Sequence, residues 1–125
     1  MADLSTQLFG VHAAALGLRE ARLNLIASNL ANADTPNYQA RDLDFSRALE
    51  AATAQTGITE GLGKSTDPVT EATVYRVPLQ PSLDGNTVDA DYEHASFARA
   101  ALEYRASLSF VEGRVRSLMT AITGE

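Results

Sequence analysis

The stretch SNLANADTPNYQARDLDF, which runs from Ser28 to Phe45, decides how this chain folds. It follows an apolar-rich segment with helical periodicity and is itself crowded with asparagine, aspartate and threonine. Because proline disfavours helical geometry at the residue before it, Thr35 is expected to be extended, and Pro36 suits the second position of a turn. The stretch therefore predicts that a long helix ends here and that the chain turns before Tyr38 anchors it again.

The segment before this turn has the periodicity of an α-helix. Steps of four and three residues from Leu4 to Asn32 pass through mainly apolar positions, which predicts a helix of roughly 30 residues and about 45 Å. A second apolar row lies on another face, so this helix is expected to need more than one neighbour. The packing residues predicted on the main row are Leu8, Val11, Leu18 and Leu25.

Asn29 and Asn32 fall on the same row, and the sequence leaves two roles open for them. Near a helix end, their side-chain amides can cap the last backbone carbonyls. Within a packing row, a polar residue can instead fix the register of two helices, as an asparagine does in coiled coils. The two roles are compatible with each other.

The C-terminal segment carries an unbroken row of apolar and aromatic residues at four-and-three spacing, which predicts coiled-coil-like packing over nearly four heptads. Asn86, Thr87 or Asp89 can cap the start of this helix, and Gly124 can end it. Acidic residues near its first turn favour the helix dipole. The row, called here the C-terminal seam, comprises Phe97, Ala101, Tyr104, Leu108, Val111, Val115, Leu118 and Ile122.

The predicted fold class is mainly α, with two long terminal helices that pack as an antiparallel coiled-coil-like pair. The small irregular middle has room for a short helix after Asp42 or Asp44 and for a short β segment over Thr73–Val77. A turn-rich connector leads from there to the second long helix. The predicted segments are an N-terminal helix over 1–33, an elbow over 34–45, a middle over 46–86 and a C-terminal helix over 87–125.

Composition excludes several classes of protein. The net charge of −6 argues against nucleic-acid binding, because the phosphate backbone requires a basic surface. Without cysteine, disulfides and thiolate metal sites are impossible. Asp3 stands where a secretory signal would be basic, and the longest apolar run near the start is too short to span a bilayer. We therefore expect a chain that is cytoplasmic or exported without a cleaved signal, with no direct membrane insertion.

No pattern of catalytic residues is visible. The Gly57–Thr66 segment resembles a phosphate-binding loop, but it has one residue too many between Gly57 and Gly63, and Pro68 is expected to prevent a helix from following. His12 and His94 lack metal-ligand spacing to any partner. The sequence therefore predicts no enzymatic activity, no cofactor, no metal and no small-molecule substrate.

The Ser28–Phe45 stretch closely resembles the signature of the flagellar rod and hook proteins, in which a long N-terminal helix ends in an A-N-x-x-T-P-x-Y type motif. The following ARDLDF and the block YRVPLQPSLDGNTVDADYE, from Tyr75 to Glu93, are similar to a short member of the proximal rod. The resemblance covers both ends of the chain and is weakest over residues 52–73. The residues that carry the family motif, which the resemblance places at intersubunit contacts, are Asn29, Asn32, Asp34, Thr35, Pro36 and Tyr38.

The resemblance implies a structural subunit of the bacterial flagellar basal body. It implies that the two terminal helices polymerise into the inner tube of a hollow rod in the periplasm, and that the chain leaves the cell through the flagellar type III export channel. The implied partners are other copies of the chain, FlgC, FliE and further rod subunits, the membrane-ring protein FliF and the export gate. A different class of function remains open from the residues alone: a small helical adaptor or chaperone-like module that binds client helices.

Overall fold

The computed structural model describes residues 9–57 and 67–124. The structure consists mainly of two long helices, and the shorter helices and strands pack beside the first of them. In chain order the elements are α1 (Val11–Ala31), β1 (Arg41–Leu43), α2 (Phe45–Gly57), α3 (Pro68–Ala72), β2 (Thr73–Tyr75) and α4 (Ala90–Thr123). The mainly α class with two long terminal helices is confirmed.

Helices α1 and α4 pack against each other in antiparallel directions. The Arg19 guanidinium donates to the Glu103 carboxylate at 2.7 Å, and the Asn29 amide donates to the Glu93 carboxylate at 3.2 Å. Both pairs have the same sum of residue numbers, as one antiparallel register requires. The interface therefore runs from the end of α1 and the start of α4 towards the opposite ends of both helices.

The ends of α4 follow from local chemistry. The Asp89 side chain accepts a hydrogen bond from the Tyr92 amide, so Asp89 is the N-cap among the three predicted candidates. Gly124 ends the helix with a left-handed φ of 75°, which glycine adopts without steric cost. Between these caps α4 runs for 34 residues, or about 51 Å.

Helix α1 is shorter than the sequence predicts within the described residues. Gly10, with a φ of 56° and a ψ of −143°, is not helical and separates Phe9 from the start of α1 at Val11. The predicted packing residue Leu8 lies outside the described residues. Helix α1 therefore has 21 residues and spans about 31 Å.

The middle of the chain folds back onto α1. Strands β1 and β2 pair in antiparallel fashion, with Asp42 opposite Val74. Helix α2 begins directly after Asp44, whose carboxylate accepts from the Arg47 amide at 3.2 Å. A small core joins these elements to α1; its buried members are Leu18, Leu43, Ala48 and Ala72.

The expectation about Pro68 is wrong, and the predicted β segment is confirmed but is shorter than the strand-like run. Pro68 does not prevent a helix but occupies the first position of α3, after the Asp67 side chain caps the Val69 amide, because proline is well tolerated at a helix start. The strand-like run Thr73–Val77 forms a ladder only as far as Tyr75. Residues 58–66 of the glycine-rich loop lie outside the described residues. No helix in the described parts of the chain is long and apolar enough to cross a membrane.

Candidate functional site

The end of α1 is capped by its own asparagine. Asn32 donates its side-chain amide to the Ser28 carbonyl at 2.8 Å, one turn back. The backbone N–H of Asn32 also donates to the carbonyls of Ser28 and Asn29. These bonds satisfy carbonyls that the end of a helix would otherwise leave without a partner. Asn32 therefore has the capping role that the sequence left open.

Asn29 is fully buried, with 0% of its surface exposed, and links α1 to two other elements. Its amide group donates to the Arg41 carbonyl at 2.7 Å and to Glu93 Oε2 at 3.2 Å. Its carbonyl oxygen accepts from the Arg41 N–H at 3.0 Å and from the Tyr38 hydroxyl at 3.4 Å. One side chain thus satisfies both backbone groups of Arg41, on the edge of β1 that β2 does not use.

The elbow is paired with the segment that leads into α4. Asn37 has a positive φ of 60°, and its N–H donates to the Asp84 carbonyl at 2.9 Å. The Thr87 N–H donates to the Tyr38 carbonyl at 3.0 Å, and the Thr87 hydroxyl accepts from the Ala40 N–H at 2.7 Å. Residues 37–40 of the elbow and residues 84–87 before α4 are therefore hydrogen-bonded to each other.

Asn86 closes this arrangement. It is almost fully buried, and its side-chain amide donates to the carbonyls of Asn32, Ala33 and Thr35 at 2.8 to 2.9 Å. Because an amide carries two hydrogens, one of them is shared between acceptors. The sequence suggested Asn86 only as a helix cap, whereas in the fold it ties the elbow to the start of α4.

Three of the four remaining motif residues are exposed to solvent. Asp34, Thr35 and Pro36 are all exposed, and the Thr35 hydroxyl donates to Asn32 Oδ1 at 3.1 Å. Tyr38 is half-buried, and its hydroxyl lies 3.2 Å from Ser28 Oγ. Some residues of the motif therefore form the hydrogen bonds that hold the elbow, and the others are exposed on its surface.

Two arginines and two carboxylates lie beside the elbow and are hydrogen-bonded to one another, and Asn29 is bonded to one of the carboxylates. We call this group the polar junction and define it as Arg22, Asn29, Asp42, Arg76 and Glu93. Arg22 approaches the Asp42 carboxylate with two nitrogens, at 3.0 and 3.2 Å. Arg76 donates to Asp42 Oδ2, which also accepts from Arg22, at 3.0 Å and donates to Glu93 as well. The polar junction therefore joins α1, β1, the end of β2 and α4.

The pKa values at the polar junction favour the charged forms. Burial acts to raise the pKa of Asp42, but hydrogen bonds from Arg22 and the Leu43 amide, the Arg22 charge and a hydrogen bond from Arg76 outweigh it and lower the pKa below its ordinary value. The hydrogen bond to Asp42 in turn raises the pKa of Arg22, against the effect of burial. These shifts favour the ionised carboxylate of Asp42 and the charged guanidinium of Arg22.

The C-terminal seam lies beside the row of α4 that the fold buries. The buried residues of α4 are Glu93, Ala100 and Ser107, each of which lies next to or one turn before a seam position. The seam itself is partly buried from Ala101 to Val111. Towards its end it is open to solvent: Val115 is 42% exposed and Ile122 is 79% exposed.

The N-terminal packing residues are distributed unevenly. Leu18 is buried in the small core and Leu25 packs against that core. Val11, at the start of α1, is 44% exposed. The main row of α1 is thus covered near the elbow and open at its far end.

The described ranges 9–57 and 67–124 hold no group of three or more side chains that could bind a metal ion. His12 is exposed and lies against Phe110, with 5.9 Å between ring centroids. His94 is exposed on the first part of α4. The candidate functional site is therefore the elbow, with the polar junction that supports it.

Comparison with known proteins agrees with this geometry. The family described as "Flagella basal body rod protein" matches residues 9–39, which cover α1 and the start of the elbow. A flagellar basal body rod protein FlgB from Aeromonas hydrophila is 42% identical, over 100% of this chain and 99% of its own length. This chain belongs to the FlgB family of flagellar basal body rod proteins. FlgB proteins from Cereibacter sphaeroides and Escherichia coli K12 are 46% and 41% identical, over 93% and 86% of this chain and 94% and 87% of their own lengths.

Membership of the FlgB family makes the chain a structural subunit of the flagellar basal body rod. The motif residues Asp34, Thr35 and Pro36 therefore lie on the outer surface of the elbow, whereas Asn29 and Asn32 form hydrogen bonds inside it. Sequence reasoning missed four residues of the polar junction, namely Arg22, Asp42, Arg76 and Glu93, because each finds its partner through tertiary packing. Glu93 in particular has the ordinary position of an acid in the first turn of a helix.

Proposed function

We propose that this chain is a subunit of the proximal part of the rod and polymerises through α1 and α4 into a hollow shaft that also serves as the export conduit. The observation that supports this most directly is the open apolar surface on the second half of α4. Phe110 is 65% exposed and Ile122 is 79% exposed, and Val115 and Met119 lie between them at 42% and 54%.

We expect this apolar surface to be buried when the protein is in its assembled state. Burying a large apolar side chain contributes about 1.5–3 kcal/mol, and contiguous apolar surface on a soluble chain marks a site of protein contact. The described part of α1 is 13 residues shorter than α4, so no helix within residues 9–57 and 67–124 runs beside the whole of α4. Neighbouring subunits in a tube of helices would cover both the C-terminal seam and the open part of α1.

The elbow would supply a second type of contact. Asp34, Thr35 and Pro36 are exposed on a turn whose backbone is held by Asn86. A rigid, solvent-facing turn loses little conformational entropy when it binds a neighbour. We propose that these three residues contact adjacent subunits at the outside of the helical tube.

The proposed neighbours are other copies of this chain, FlgC, FliE and further rod subunits, with the membrane-ring protein FliF and the export gate at the base. The proposed location is the periplasmic rod, reached by flagellar type III export without a cleaved signal. The proposed role is structural and not enzymatic. The names of the curated relatives support the placement in the rod.

The decisive experiment places a carboxylate on the C-terminal seam. In a strain that lacks its own chain of this family, the wild type should restore swimming and be found in basal bodies stripped of hook and filament. Val115→Asp should be exported but not incorporated, and the cells should not swim, because an unpaired charge would be buried between subunits. The monomer should be unaffected, since Val115 is already open to solvent.

Ser109→Asp is the matched control, because it adds the same charge to an exposed position on the opposite side of α4. It should assemble to at least half the wild-type level. Normal incorporation of Val115→Asp would contradict the proposed role of the seam. Failure of the wild type to enter basal bodies would contradict the proposed function as a whole.

A further inference from the structure

We propose that the buried pair of Arg76 and Glu93, together with Asn29, is a register lock that fixes the axial position of α4 on α1. Glu93 is 0% exposed and accepts hydrogen bonds from Asn29 on α1 and from Arg76, which directly follows β2. The Glu93 carboxylate therefore links α4 both to the end of α1 and to the residue that follows β2. A buried polar residue is the best-attested device for selecting one register among several.

Apolar packing alone does not select the register. The buried row of α4 repeats at seven residues and consists of Glu93, Ala100 and Ser107. A slip of two helical turns would place Ser107 where Ala100 now lies, and these side chains differ by one hydroxyl group. This fully buried row therefore contains no large apolar side chain whose shape would fit a single place on α1.

The polar contacts distinguish the registers clearly. A slip in one direction would leave Asn29 opposite Ala100 and remove Glu93 from both of its partners. A slip in the other direction would move the Glu93 carboxylate to the present place of Ala100, which is 3% exposed. Either result leaves a buried polar group without a hydrogen-bond partner, which is strongly unfavourable.

The ion pairs between α1 and α4, in which Glu103 contacts Arg19 at 2.7 Å and Arg22 at 3.8 Å, are less selective. Arg19 and Glu103 have side chains that are 25% and 29% exposed, so both can return to water after a slip. Glu103 also accepts from Arg99 on its own helix at 3.2 Å, and that bond moves with α4. The lock therefore lies at the elbow end of the interface.

The consequence for the rod rests on the proposed function. If α1 and α4 both contact neighbouring subunits, a slip of seven residues would displace one contact surface from the other by about 10 Å. Such a subunit would be folded and still unable to fit the tube. The lock would act as a positioning device, and its loss would separate folding from assembly.

The chain contains no cysteine, so pairs of nitroxide labels on introduced cysteines can measure the register directly in the full chain. The antiparallel register places Glu20 level with Leu102, and both are exposed. The pairs 20/95 and 20/109 report slips of seven residues in the two directions. In the wild type, electron–electron double resonance should give one distance for each pair, shortest for 20/102.

The test variant is Arg76→Met/Glu93→Met, which removes both charges together and leaves Asp42 paired with Arg22. It should keep the wild-type helical circular dichroism and gain a second population, in which 20/95 or 20/109 reads the distance that 20/102 reads in the wild type. Arg105→Met/Glu112→Met is the matched control, with the same two charge deletions at exposed positions of α4. It should keep a single register.

A single, unshifted distance for all three pairs in the double-methionine variant would overturn the proposal. Loss of its helical signal would overturn it as well, because a register device should be dispensable for helix formation. Glu93→Gln gives an independent check, since its amide oxygen can still accept from Arg76 and should preserve one register. All these distances are measured on the isolated chain, so they are independent of whether the chain enters a rod.

Discussion

The two ends of the α1–α4 pair are built in opposite ways. At the elbow end, the interface is polar and every donor of Asn29 and Asn86 has an acceptor within the chain. At the far end, α4 exposes apolar side chains such as Phe110 and Ile122, at 65% and 79%. The elbow end is therefore hydrogen-bonded within the chain, whereas the far end exposes apolar side chains among the described residues.

This difference separates two kinds of interaction: hydrogen bonds that fix the geometry within the chain, and apolar surface that is available for contacts between chains. Buried hydrogen bonds are directional and are satisfied in only one arrangement, so they define the joint. Apolar contacts depend mainly on area and tolerate small changes of geometry, so they suit repeated contacts between subunits. Changes at the elbow end should accordingly affect the stability of the monomer, and changes at the far end should spare it.

The largest effect on the monomer is expected from Asn29→Ala. The substitution leaves the Arg41 N–H and C=O and the Glu93 carboxylate without a shared partner, and each unsatisfied group costs about 1–3 kcal/mol. We expect a loss of roughly 3 kcal/mol in the free energy of unfolding, measured by urea denaturation. Asn24→Ala, at an exposed position of the same helix, should change it by no more than about 0.5 kcal/mol. Similar effects of the two substitutions would remove the distinction between the buried joint and the helix surface.

The next largest effect is expected from Gly85→Ala, in the turn that faces the elbow. Gly85 has a φ of 75°, and a Cβ atom there would lie 2.5 Å from Asn37 Oδ1. The left-handed backbone alone costs a residue with a Cβ about 1–2 kcal/mol. Thermal unfolding should show a destabilisation of about 2 kcal/mol, and an unchanged midpoint would mean that the two turns are not held together.

A smaller, pH-dependent effect is expected from Asp42→Asn. The folded pKa of Asp42 lies below the ordinary value of 3.8, so its ionised form stabilises the fold above that value and the contribution is lost as the pH falls through the folded pKa. At pH 7 the variant should be less stable by about 1 kcal/mol. Chemical denaturation from pH 7 down to pH 3 should show the difference between variant and wild type shrinking; a constant difference would contradict the ionic role.

The smallest effect, and one of opposite sign, is expected from Gly113→Ala at the far end of α4. Nothing lies within 4 Å of a Cβ atom built on Gly113, and alanine is favoured over glycine inside a helix by about 0.5–1 kcal/mol. The isolated chain should become more stable by that amount in thermal unfolding. A destabilised monomer would show that this part of α4 is already covered within the chain, against the contrast between the two ends.

The sequence by itself determined the features that depend on neighbouring residues. Pro36 and Gly124 mark where helices end, because a missing backbone donor and a left-handed backbone are local effects, and Asp89 was one of three candidate caps for the start of α4. The four-and-three spacing identified two long helices for the same reason, since an apolar stripe needs only the helical period. The short strand over Thr73–Tyr75 was likewise visible in its β-branched composition.

Only the tertiary structure decided which row of α4 faces α1 and what fills it. Periodicity favoured the C-terminal seam, yet the fold buries the adjacent row, with Glu93, Ala100 and Ser107. The reason is that Asn29 and Glu93, 64 residues apart, must meet with Arg76 to satisfy their hydrogen bonds, and this requirement rotates α4 on α1. Partners so distant in the chain leave no local pattern, because burial and charge pairing are properties of the packed elements and not of either segment alone.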